Sequence, residues 1–234
     1  MVKMVLFGRL KLSYAKDKFM VMPAIAVRTY NMFKNESPFR KLIKQMSKRI
    51  QKISNPIKRV KFIHNKINKE ISKQMADPNL ASLISCKKGC SACCHTQVAI
   101  TEAESINLAQ LIKDGLTIDW SKLFLQAEAG NSMEAYYKLS YSLRSCVFLS
   151  ESGECRIYED RPSVCRTNYV ISDPKNCQVR SGEKPSVQLL NTFSADSWVY
   201  AQFQTSPRNG TLPVMVKDAL SNFSIVDTGK VQDL

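Results

Sequence analysis

Four cysteines, Cys86, Cys90, Cys93 and Cys94, fall within nine residues, and the other four, Cys146, Cys155, Cys165 and Cys177, follow before residue 178. Thiols at this density are either cross-linked to one another or gathered on a metal, and both choices constrain the chain more than its helical patterns do. A disulfide framework fits poorly. Adjacent Cα atoms sit about 3.8 Å apart, below the usual disulfide range, so Cys93 and Cys94 do not bridge each other readily. A chain of 234 residues can also bury a core without staples. Metal ligation is therefore the expectation, with all eight cysteines as candidate ligands. Gly89 permits a backbone reversal that turns Cys86 and Cys90 toward one point, and the two-residue gap from Cys90 to Cys93 is a common chelate spacing.

The residues around the cysteines suggest how they meet. Thr101-Glu102-Ala103-Glu104 reads as a capping box opening a helix that runs to about Asp114, with Gly115 beyond its end. Two more helices are expected near 118–128 and 132–143. Cys146 to Leu149 and Glu154 to Tyr158 are short apolar runs on either side of a turn, which predicts a β-hairpin. Pairing Leu149 with Glu154 would aim Cys146 and Cys155 at one face. Asp160-Arg161-Pro162 predicts a helix N-cap, with Cys165 one turn in, where the helix dipole would favour its thiolate. Cys177 follows in a loop. Lys87, Lys88, Arg156, Arg161 and Arg166 are the cations placed to offset thiolate charge.

The net charge of +14 is concentrated at one end. Residues 1–80 hold nineteen Lys and Arg against Asp17, Glu36, Glu70 and Asp77, whereas the remainder is close to neutral. This divides the chain into a basic helical N-terminal region, 1–80, and a cysteine-cluster metal-binding domain, 81–234. From Ile43 an apolar seam steps by three and four through Met46, Ile50, Ile53, Ile57, Val60, His64, Ile67 and Ile71. Asn55 and Pro56 interrupt it as the cap and first turn of a second helix. Acids that would complement a self-pairing coil are missing, so the seam is expected to pack on the C-terminal body. His64 on this seam reads as a packed residue. The outer faces could attract an anionic partner, either nucleic acid or a membrane surface. Met1–Leu10 does not read as a signal peptide, and no run reaches the length of a transmembrane segment. A cytoplasmic protein is expected.

The cluster Cys86, Cys90, Cys93 and Cys94, with "CVFL" at 146–149, "GEC" at 153–155 and "IYEDRPSVCR" at 157–166, resembles the YkgJ-type CxxxCxxCC cysteine-cluster family of zinc- or iron-chelating domain proteins. The resemblance covers roughly residues 84–180. Flagellin lysine methylases carry a similar arrangement and are thought to hold an iron–sulfur cluster. The resemblance thus implies an iron–sulfur cluster, [4Fe–4S] in the first instance, or zinc. It leaves the catalytic residues unassigned, and the chain has no GxGxxG, Walker A or HExxH motif that would supply a reaction. Two functions stand side by side: a metal protein with a redox or group-transfer role, and a non-catalytic module whose basic helices dock on an anionic partner. The expected fold is mainly α, with an irregular cysteine-rich core, a short β-hairpin and a basic helical region ahead of it.

Overall fold

The computed structural model describes residues 21–87, 89–179 and 187–228. Met1–Leu10 and Lys88 lie outside them. Ten helices are described: α1 (Ala24–Phe33), α2 (Ser37–Gln51), α3 (Pro56–Met75), α4 (Pro78–Ser82), α5 (Glu102–Lys113), α6 (Trp120–Glu128), α7 (Met133–Lys138), α8 (Ser163–Arg166), α9 (Phe193–Thr205) and α10 (Leu212–Thr228). Strands β1 (Ala99–Thr101) and β2 (Asn209–Thr211) pair antiparallel, Ile100 opposite Gly210, and tie the start of α5 to the start of α10. The fold is mainly α. Among the described residues no helix is long and apolar enough to cross a membrane.

Local chemistry sets the helix starts. Asn55 accepts the Lys58 N–H at 2.9 Å and Pro56 opens α3, where a missing N–H costs nothing. Thr101 and Glu104 form a reciprocal capping box at α5. The helix expected over 132–143 is shorter: Leu139 turns extended and ends α7.

The apolar seam of the basic helices faces inward. Phe39, Ile43, Met46 and Ile50 of α2 and Ile63, Ile67 and Ile71 of α3 join Ala195, Trp198, Val199 and Phe203 of α9 in one core. Helices α1, α2 and α3 each pack on α9. Helix α9 is buried almost all round, and this is what lets it serve as the axis of that group. A second core gathers Leu108 and Ile112 of α5, Leu123 of α6, Val147, Phe148 and Ile157 of the cysteine region, and Leu212, Met215 and Val216 of α10. Cys146 and Cys155 rest against this second core.

A buried polar network joins the two. Glu104 accepts the N–H of Thr101 at 2.9 Å and of Ser163 at 2.7 Å, and the Ser163 hydroxyl donates to Gln202 of α9 at 2.6 Å. His64 of α3 comes within 3.7 Å of Glu104. Burial pushes the Glu104 carboxyl up, but His64 and the N–H groups of Ser163 and Thr101 outweigh it and hold the carboxyl at about 2. Burial lowers the His64 ring below its usual value. His64 is thus a packed residue of the network.

Candidate metal centre

The cysteine region is built from loops that lean on one another. Gly89 adopts φ +82°, which supplies the reversal between Cys86 and Cys90. The chain then winds through a short 3₁₀ turn, Ala92–His95, carrying Cys93 and Cys94. Val170 N–H donates to the Cys86 sulfur at 3.3 Å, and Ser85 N–H donates to Val170 at 2.8 Å, so the first loop is anchored on the segment after α8. Cys146 N–H donates to the Cys94 carbonyl at 2.8 Å and brings the second group of cysteines to the first. A second 3₁₀ turn, Pro174–Cys177, packs against the first and adds Cys177.

The paired turn between Cys146 and Tyr158 differs in detail from the expected hairpin. Cys146–Leu149 is itself a turn, and the pairing is a single bridge, Leu149 opposite Cys155. The register is one residue from the expected Leu149–Glu154 pairing. Gly153, at φ +78°, is the third loop residue, and the left-handed conformation there favours a three-residue loop over the two- or four-residue alternatives. A Cβ on Gly153 would lie in ordinary contact, 3.4 Å from the Gly89 carbonyl oxygen, so the left-handed backbone and not the space is what favours glycine here. The expected helix start is also displaced. Asp160 ends a 3₁₀ turn and caps nothing, and α8 begins only after Pro162.

All eight cysteines are free. Burial is the main cause that pushes up the thiols of Cys86, Cys146, Cys155, Cys165 and Cys177, and the Cys93 charge adds to it at each; at Cys94 the hydrogen bond to Cys93 leads and burial follows. The Cys93 thiol itself is pulled down to about 7, chiefly by a hydrogen bond from Cys94, against burial and with help from Asn168 and Arg161. Cys94 moves up correspondingly. Burial pushes Cys146 and Cys177 to about 11 and Cys165 well above its usual value. The expected dipole effect at Cys165 is therefore reversed: α8 has four residues, and desolvation dominates. Among the described residues no group of three or more His, Cys, Asp or Glu side chains is arranged to hold a metal ion as it stands.

Of the cations expected to serve the cluster, Arg161 lowers Cys93, Cys155 and Cys165, and Arg166 lowers Cys155. Arg161 lies over the Tyr158 ring at 3.9 Å, and its Nε is buried without a partner. Arg156 instead donates to the Thr117 carbonyl, and Lys87 is exposed. Three residues were not foreseen. Asn168 touches Cys93 and Lys122 acts on Cys146. Arg144 is 2 % exposed, stacked near Tyr137 and Tyr141, and donates to the Val179 carbonyl, while its Nε and Nη1 have no partner. Arg144 sits in a Ser-, Tyr- and Leu-rich stretch whose composition does not mark it. His95 stacks on Tyr141 at 4.2 Å and its Nδ1 faces the Ser91 carbonyl at 3.2 Å.

The buried Arg161 Nε without a partner, acting on a crowd of thiols, suits an anionic metal–thiolate centre in charge, and the thiols suit it in softness. No curated protein and no solved structure matches the chain. Its residues 85–184 match the family described as "CxxCxxCC: Putative zinc- or iron-chelating domain". This stretch contains all eight cysteines, so the similarity to the CxxCxxCC cysteine-cluster family lies in the thiol-bearing region of the chain.

Proposed function

We propose that Cys86, Cys90, Cys93, Cys94, Cys146, Cys155, Cys165 and Cys177 furnish the thiolate ligands of an iron–sulfur or zinc centre in a cytoplasmic protein, with residues 81–234 carrying the centre. The observation that supports this best is the convergence of thiols from two loops, a paired turn and α8 around Cys93. Eight thiols exceed the four that one tetrahedral zinc or one [4Fe–4S] cluster takes, and neighbouring Cys93 and Cys94 can serve separate sites. The family resemblance favours the iron–sulfur form. A cluster would supply one-electron chemistry, and zinc a closed structural site. Arg161 then acts as a counter-charge. Closing the thiols on the metal adds to the folding of this region, because a site bound only in the folded chain stabilises it.

Cys90→Ala and Cys165→Ala test the reading. Each variant, purified anaerobically, should retain less metal than the parent, although the two residues lie in separate segments. Full retention in the Cys165 variant would assign binding to residues 86–94 alone. Full retention in both would contradict the proposal.

A further inference from the structure

The structure separates two uses of the basic helices. Their apolar seams are spent on α9, so what α2 and α3 show to solvent is mostly cationic and polar. Residues 37–75 contain twelve Lys and Arg and one acid, Glu70, which pairs with Lys73 at 2.9 Å. On α2 the side opposite the seam carries Arg40, Lys44, Lys48 and Lys52, each four residues from the last. On α3 the corresponding side carries Lys61, Asn65, Lys69 and Lys73. All eight of these residues are exposed. Like charges four apart destabilise a helix, and a solubilising surface mixes both signs, so neither stability nor solubility accounts for single-sign stripes.

We infer that the outer faces of α2 and α3 bind the phosphate backbone of a nucleic acid, without reading its sequence. Three observations favour nucleic acid over a lipid surface. Helices that lie in a membrane interface bury an apolar face there, and here that face is occupied by α9. The large apolar side chains exposed among the described residues, such as Trp120, Phe124 and Met133, lie elsewhere. The cations alternate with the exposed amides and hydroxyls Gln45, Gln51, Asn65 and Ser72, groups that donate to phosphate and sugar oxygens. The α3 stripe from Lys61 to Lys73 extends for roughly 18 Å, a length over which a duplex offers about ten phosphates. Base readout would need side chains fitted to groove edges, and lysine stripes supply only charge and reach. The inference does not depend on a metal.

The full-length chain, titrated against a short labelled DNA duplex and against phosphatidylglycerol vesicles, decides the matter. Duplex affinity should fall at least about a hundredfold between about 50 and about 200 mM salt. Lys44→Glu with Lys48→Glu, and Lys61→Glu with Lys69→Glu, should each weaken it at least about tenfold at low salt, while Lys138→Glu on α7 leaves it unchanged. The matching Gln pairs should give smaller losses in the same order, and they carry the test if a Glu pair melts early. Undiminished binding by the Gln and Glu pairs would overturn the inference. So would tighter binding to the vesicles than to the duplex at equal salt, which would assign the face to membranes, or no binding to either at about 50 mM salt.

Discussion

Glu104 on α5 accepts the backbone N–H of Ser163 at 2.7 Å, a bond that spans 59 residues and fixes the chain two positions before Cys165. The same carboxylate takes the Thr101 N–H and lies beside His64, so one buried acid registers the basic helix, the capped helix and the cysteine-bearing turn against one another.

Glu104→Gln is expected to cost about 1–3 kcal/mol in denaturant unfolding at pH 7, since an amide offers one acceptor oxygen where the carboxylate offers two charged ones. The carboxyl is held at about 2, below the value of 4.5 from which it is shifted. Its stabilisation is then complete above about pH 4.5 and lost as pH falls toward 2, so the parent and the variant should converge over that window.

Asp196→Asn should show the opposite pH dependence. Burial raises this carboxyl to about 6 despite hydrogen bonds from Thr192 and Thr29. A raised carboxyl binds its proton more tightly in the folded state, so it contributes stability below about pH 3.8 that is lost as pH rises through 6. Relative to the parent, the variant should therefore gain about 1–3 kcal/mol between pH 4 and pH 8. Parallel stability curves for the two proteins would contradict this.

The helices legible in the sequence are those with chemical punctuation. Asn55-Pro56 and the Thr101–Glu104 box mark their helix starts in the structure. Gly89 takes the positive φ expected of a reversal. Helix α9 could not be read the same way, because a helix buried on nearly every side has no polar face and hence no periodic pattern. The bridge register escaped by one residue because alternation does not specify loop length, and the left-handed Gly153 settles it. Asn168 joins the thiols through a tertiary contact with Cys93 that no local spacing encodes.

Removing residues 1–80 should expose the α9 surface now covered by Ile43, Met46, Ile50, Ile63 and Ile67. A chain beginning at residue 81 is expected to be poorly soluble or to lack a cooperative melt, as judged by circular dichroism and light scattering. Within the full chain, Ile67→Ala should cost about 2–5 kcal/mol, since Ile67 is 0 % exposed.

Arg161→Met should separate the two states of the cluster. Arg161 acts on Cys93, Cys155 and Cys165, and its buried, unpartnered Nε is costly unless a counter-ion is near. The rise in melting temperature on metal loading should therefore be smaller in the variant than in the parent. An equal rise would remove Arg161 from the centre's electrostatics.

The central claim, that the thiols between Cys86 and Cys177 hold a soft metal, is tested most directly by metal and acid-labile sulfide analysis of anaerobically purified protein, with Cys93→Ala alongside. The parent should carry tightly bound iron with sulfide, or zinc without it, in stoichiometric amount, and the variant should carry less. A parent that emerges metal-free and neither takes up iron, sulfide or zinc nor changes its melt when they are supplied under reducing conditions would contradict the account.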